Sequence, residues 1–226
     1  ELAATGLPSP AELKLLAPLK DKIPAEVFTT PYRAPASDGS GFIRNNLKEA
    51  VKLLNEAGYH FVGDKMVEDK TGKPLEFELL LDSASSAAWE RIALPFAVNL
   101  SKIGVKVNLR IIDVNIYLNR LKSFDYDMIV SIWGQSLSPG NEQAEYWGSA
   151  AAERPGSRNL AGIKNPAVDI LISKLIASQT KEDLLAAAHA LDRVLLWNHY
   201  FIPHWHINYS RIVYWKTLGV PDTIPM

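Results

Sequence analysis

The strongest constraint on this chain is the order in which its hydrophobic patterns change period between residues 75 and 133. Leu75-Glu76-Phe77-Glu78 alternates and then becomes apolar throughout at Leu79-Leu80-Leu81, as a strand does on entering a covered sheet. Residues 86–103 switch to helical spacing, with Trp89, Ile92, Ala93, Phe96, Leu100 and Ile103 on one face, a proline kink at Pro95 and a stop at Gly104. Val105 to Ile112 returns to alternation, 114–122 reads as a short helix, and Tyr126 to Trp133 reads as another buried strand. Strand, helix, strand, helix, strand is the order of a sheet with crossover helices on its faces, so the fold class is α/β.

The flanks extend this frame. Ser9 followed by Pro10 and Glu12 opens a helix over 9–19, and 44–57 places Leu47, Ala50, Val51, Leu54 and Ala57 at helical spacing before Gly58. Between them, 20–42 is expected to be an irregular loop punctuated by Pro24, Pro31, Pro35, Gly39 and Gly41. Lys65–Glu68 and Leu75–Leu81 flank the turn-rich 69–74 and are expected to form a hairpin. Helices are expected near 140–149, 166–178 and 181–199, and closing strands at 202–207 and 209–215. With 226 residues and no internal repeat, a single domain over 1–226 is expected.

Several kinds of chemistry are excluded early. Without cysteine there is no thiol catalysis, thiolate zinc or Fe–S cluster, and 24 basic against 25 acidic residues argue against a dedicated nucleic-acid binder. No apolar run approaches the roughly 20 residues of a membrane span. The chain starts at Glu1 without a basic and apolar leader and stops at Thr223-Ile224-Pro225-Met226, which reads as a piece of something longer. Gly39-Ser40-Gly41 lacks the third glycine of a dinucleotide loop, and Gly72-Lys73-Pro74 lacks the hydroxyl and earlier glycine of a phosphate loop. Gly134-Gln135-Ser136-Leu137-Ser138 has the first glycine and central serine of a nucleophile elbow, but Ser138 replaces its second glycine. His204 and His206 share a strand face with His199 nearby, yet no further metal ligands are identified, and a half-exposed closing strand explains them better. Asp125 and Asp127 read as flanking a strand entry rather than as an acid/base dyad, and Asn208-Tyr209-Ser210 is too short a sequon to weigh.

Trp133 stands apart from the other aromatics. Trp89 and Trp197 sit at core spacing, whereas Trp133 ends a buried strand and leads into a loop of small residues and amides. Ligands of open α/β sheets collect outside the carboxyl ends of strands, and an aromatic platform beside exposed backbone suits them. The competing reading is a core plug followed by a plain surface loop.

Six segments then occur in the order of a known family: Asn46–Ala50 with Leu53–Tyr59, Asp69–Leu75, Asn99–Val105, Phe124–Met128, Ser138–Gln143, and Ser157–Gly162 leading to Pro166–Asp169. The chain resembles the second lobe of the family 5 extracellular solute-binding proteins of bacterial ABC importers, the peptide and oligopeptide binders, most closely their YejA-like branch. The resemblance implies a periplasmic-binding-protein-like type II lobe with a mixed sheet flanked by helices. It implies a non-enzymatic receptor in a Gram-negative periplasm, without cofactor or metal, that closes with a missing N-terminal lobe on a short peptide and presents it to an ABC transporter permease. A sugar, an opine or a metal chelate are alternative solutes, and a hydrolase using Ser136 is the rival from another class. The ligand wall implied is Trp133, Gly134, Gln135 and Ser136, with Asn141 and Glu142 from the following loop and Arg158 and Asn159 from the next segment. In peptide-binding relatives an acidic residue three positions after the tryptophan pairs with the ligand's amino terminus; here that position is Ser136, which supplies no charge. Glu142, Glu145 or the missing lobe must then replace it, or the ligand has no free amine at that point.

Overall fold

The computed structural model describes residues 2–204, 209, 212–215, 217 and 219. Helix α1 (Pro10–Leu16) starts with the expected device: the Ser9 hydroxyl accepts from the Glu12 amide while the Glu12 carboxylate accepts from the Ser9 amide, and Pro10 occupies the first turn. A 3-10 segment (Ala17–Lys22) and the short α2 (Glu26–Thr29) follow, so the first part of the stretch expected to be irregular carries local helical structure. From residue 30 to 43 there is neither helix nor strand.

Helix α3 (Arg44–Glu56) runs into strands β1 (Tyr59–Val62) and β2 (Lys65–Glu68), an antiparallel pair that turns at Gly63-Asp64 with Gly63 at φ +64°. This corrects the expected hairpin. The partner of 65–68 is 59–62, and the 69–74 turn returns the chain only as far as a single bridge between Val67 and Pro74 before it leaves for a different sheet. A two-residue turn through a left-handed glycine closes a tighter hairpin than the six-residue connection does, and Pro74 has no N–H with which to extend the ladder.

The main sheet consists of β3 (Glu76–Asp82), α4 (Ser86–Ser101), β4 (Lys106–Ile112), α5 (Val114–Lys122) and β5 (Met128–Ile129), in strand order β4-β3-β5. Both pairs are parallel, with Glu76 opposite Lys106 through Asp82 opposite Ile112, and Leu79 opposite Met128. The first crossover steps to one side of β3 and the second steps back past it, so right-handed connections put α4 and α5 on opposite faces. Leu79 and Leu81 pack with Ala93 of α4, and Leu80 between them is fully buried on the other face. The α/β expectation holds. The strand expected over 126–133 pairs for only two residues, however, because the chain past Ile129 runs beyond the ladder with β3 and bonds to side chains instead.

The largest core is helical. Helices α6 (Glu142–Trp147), α7 (Pro166–Ile176) and α8 (Lys181–Trp197) bury Trp147, Val168, Leu171, Ala187, Leu191 and Val194 against Leu16, Leu19 and Val27. The Asn165 side chain caps α7 and the Thr180 side chain caps α8. Within the expected closing strands, residues 202–204 and 212–215 carry no strand pairing among the described residues; 205–208, 210 and 211 lie outside them.

Candidate functional site

The carboxyl end of β5 is where the sheet meets the helical core. Past Ile129 the chain reaches Trp133, whose ring lies 5.2 Å from Trp147 and 5.7 Å from Phe201, with Trp147 and Phe201 stacked at 5.3 Å. The indole N–H donates to the Arg158 carbonyl at 3.2 Å. Trp133 thus has one side in an aromatic cluster, and it also forms a wall of an apolar groove of about 980 Å³. That groove runs along the side of β5 that pairs with no strand among the described residues, between Trp89 and Phe96 of α4 and the segment Tyr200–Ile202. Phe124 and His199, which also line it, have φ of 57° and 53° at positions just past the ends of α5 and α8, where left-handed backbone ends a helix.

Helix α6 faces this strand end with Gln143, Tyr146 and Trp147, spaced three and four apart so that all three share one buried face. The Tyr146 hydroxyl donates to the Gly134 carbonyl at 3.1 Å. Gln143 donates to the Gln135 side-chain oxygen at 2.8 Å and accepts from the Trp147 indole at 3.0 Å. The Arg158 guanidinium lies over the Tyr146 ring, 4.7 Å from its centroid, and donates to the Tyr146 hydroxyl at 3.1 Å and the Ile132 carbonyl at 3.2 Å. These contacts hold the backbone of 132–135 from the side-chain direction. Among the described residues, no backbone N–H from Ile132 to Leu137 donates to a backbone carbonyl.

The loop carries charge of defined state. Glu142 Oε1 accepts from the Gly140 amide at 2.9 Å and from the Gln143 amide group at 3.2 Å. Burial pushes its carboxyl up, but the hydrogen bonds from Gly140, Gln143 and Gln135 outweigh that and hold it below the usual carboxylate range. Glu142 therefore stays ionised. Glu145 is paired with Arg154.

The structure gathers Trp133, Gly134, Gln135, Glu142 and Arg158 into one surface. Asn141, exposed at the start of α6, makes no side-chain cap. Ser136 turns into its own loop: its hydroxyl donates to the Ser138 carbonyl at 2.9 Å and accepts from the Ser138 amide at 3.3 Å. Asn159 is a correction. Its side chain is fully buried, donating to the Gly148 and Ile163 carbonyls and accepting from the Ile163 amide, so it staples the loop that carries Arg158 and offers nothing to a ligand. Sequence reading missed Gln143, Tyr146 and Trp147, whose three-and-four spacing in the expected helix was the available signal. Asp125 pairs with Arg120, and Asp127 accepts from the Glu78 amide, so the two carboxylates serve separate structural contacts. His199 and His204 line the groove while His206 lies outside the described residues, which contain no group of three metal-ligating side chains. No described helix is long and apolar enough to cross a membrane.

Comparison with known proteins adds an independent line. The profile of the bacterial extracellular solute-binding proteins, family 5 Middle, matches residues 17–154. A probable peptide-binding protein YejA from Agrobacterium fabrum is 50% identical over 225 residues, spanning 100% of this chain and 36% of that protein. A peptidoglycan-binding protein YepA from the same organism is 40% identical over 215 residues, 95% of this chain and 34% of its own length. The chain therefore spans about a third of the length of these relatives. Among solved structures, the oligopeptide-binding protein AppA of Bacillus subtilis, in complex with a nonapeptide, superposes with a TM-score of 0.62 at 18% identity, over 84% of this chain and 38% of that one.

Proposed function

The chain belongs to the family 5 bacterial extracellular solute-binding proteins, and on that premise we propose that it is one lobe of a two-lobed receptor for short peptides. The family is one of binding proteins, not enzymes. The receptor works in the periplasm and passes its ligand to an ABC importer permease. The carrying observation is the run Ile132–Leu137, whose backbone N–H groups have no backbone acceptor among the described residues, held rigid beside Trp133 by Tyr146, Gln143 and Arg158. An extended peptide main chain hydrogen-bonds to such a segment without reference to its side chains, and the neighbouring aromatic groove accommodates apolar side chains. Support comes from a relative named as a probable peptide binder and from the fold shared with a protein solved with a nonapeptide.

A second lobe is part of this reading because the chain spans 36% of that relative, and closing two lobes buries a ligand that one lobe leaves half in water. A second solute class is favoured by the relative named as peptidoglycan-binding, in which case the peptide is one joined to cell-wall sugar. Ser136 supports no hydrolase, since its hydroxyl bonds to the Ser138 backbone and, among the described residues, to no general base.

Native mass spectrometry of the full-length receptor, purified without denaturation, should display a co-purified peptide. Calorimetric titration should then give the isolated chain at least about tenfold weaker affinity than the full-length protein, and Trp133→Ala a loss of about tenfold or more in the full-length protein. Equal affinity for the chain and the full-length receptor would refute the two-lobe reading.

A further inference from the structure

We propose that Arg158 and Glu142 form a two-charge clamp that selects a short zwitterionic peptide, with the guanidinium taking its terminal carboxylate and Glu142 taking its terminal ammonium. The inference rests on the peptide-receptor reading and names which charges the peptide must present beside Trp133.

Arg158 is built for this role. Its guanidinium is oriented by three contacts, the face of Tyr146, the Tyr146 hydroxyl and the Ile132 carbonyl, yet Arg158 is exposed overall. Its hydrogen bonds among the described residues use one donor on each terminal nitrogen, leaving Nε–H and one N–H on each terminal nitrogen for a ligand. Among the described residues no carboxylate lies within salt-bridge distance of it, as is also true of Arg33, Arg44 and Arg91, but Arg158 differs from these in being held over an aromatic ring beside Trp133. A cation held in a fixed orientation over an aromatic ring, without a counter-charge, matches the planar, two-oxygen geometry of a carboxylate.

Glu142 supplies the opposite charge. Among the described residues its side-chain hydrogen bonds, from Gly140, Gln143 and Gln135, all go to Oε1, so Oε2 is left for a further donor. No Lys or Arg among the described residues pairs with Glu142, whereas Glu145, the other acid of the same helix, is taken by Arg154. Glu142 and Tyr146 are four residues apart and share one side of α6, which puts the Glu142 carboxylate about one helical turn from the ring that carries the guanidinium. The two charges form no ion pair with each other among the described residues, and both are tied to the same loop, Glu142 through the Gln135 side chain and Arg158 through the Ile132 carbonyl. Gln135, bonded to Gln143 and Glu142, lies beside them on the same loop as the self-bonded Ser136.

The test uses the full-length receptor and four probes: L-alanyl-L-alanine, its N-acetyl derivative, its C-terminal amide, and tri-L-alanine, all titrated by calorimetry at neutral pH. Wild type should lose about 10- to 100-fold in affinity on amidation and a similar factor on acetylation, the range of a charge-assisted hydrogen bond. Arg158→Met should abolish the acid-over-amide preference and leave the amine preference intact; Glu142→Gln should do the reverse. Arg158→Lys, which keeps the charge and loses the fork, should give an intermediate preference and guards against a folding defect in Arg158→Met, with thermal unfolding run on each variant. Wild type that binds acid and amide, or free and acetylated amine, with equal affinity overturns the clamp while leaving the peptide reading standing. No binding of any alanine peptide overturns the peptide reading itself.

Discussion

Replacing Arg193 by alanine should be among the most damaging single changes available in the helical core. Arg193 and Glu12 are almost wholly buried, and Nε donates to the Glu12 carboxylate at 2.6 Å. The two terminal nitrogens donate to the carbonyls of Gly6 at 2.7 Å, Thr5 at 2.8 Å and Leu7 at 3.2 Å, strapping the first residues onto α8. Alanine leaves a buried carboxylate without its cation and three carbonyls without a donor. Breaking a buried pair from one side costs about 3–5 kcal/mol, a large share of the roughly 5–15 kcal/mol that holds a domain together. At about 2–4 °C per kcal/mol for a chain of this size, the melting temperature should fall by roughly 6–20 °C.

The loss should also depend on pH. Burial pushes the Glu12 carboxyl up, but hydrogen bonds from Arg193 and Ser9 with the guanidinium charge prevail, and the net position is below the ordinary value. A depressed carboxyl contributes stability above its unfolded pKa of about 4.3, lost as pH falls through the folded value. Once Arg193 is gone that term disappears, so the gap between wild type and variant should be widest at pH 7 and should narrow in acid. Urea unfolding followed by circular dichroism at pH 7 and pH 4 reads both quantities. A gap under about 1 kcal/mol at pH 7, or one unchanged in acid, would show that the pair is not the anchor of this strap.

Two further outcomes follow from local geometry. Gly104→Ala places a Cβ 2.5 Å from the Met66 amide nitrogen and 2.9 Å from the Lys65 carbonyl carbon at φ +74°, and should cost about 2–4 kcal/mol, whereas Gly162→Ala, at φ +64° in open space, should cost only the left-handed strain of about 1–2 kcal/mol; equal urea midpoints would contradict this. Burial raises the Asp192 carboxyl despite its bond from the Ala4 amide, so its contribution is present below the unfolded pKa and is lost as pH rises through the elevated folded value; Asp192→Asn, which resembles the protonated acid, should flatten that part of the stability profile, match wild type in acid and exceed it at pH 7, and a variant less stable than wild type at pH 7 would refute it.

Much of this molecule was legible in one dimension. Helices α1, α3, α4, α7 and α8 announce themselves in the sequence, and the succession of three sheet strands along the chain follows from changes of hydrophobic period, whereas their order within the sheet, β4-β3-β5, does not. These are local properties: a cap needs residues three apart, and a face needs residues three and four apart. Pairing partners were less accessible, because the four residues Lys65–Glu68 carry no pattern that prefers one neighbour over the other. The left-handed turn at Gly63 and the imide nitrogen of Pro74 settled the choice.

The site divides along the same line. That Trp133 opens a loop at the edge of a groove could be argued from its place at the end of a strand. That Asn159 is a buried staple while its neighbour Arg158 stays exposed over Tyr146 could not, since adjacent residues of an irregular loop carry no periodic rule for direction. Likewise Glu142 and Glu145 are equivalent acids in the sequence, and only the approach of Arg154 to Glu145 leaves Glu142 without a cationic partner among the described residues. Local pattern is written into neighbouring residues, whereas the state of a charge depends on what distant segments bring against it, and that is decided only when the chain is packed.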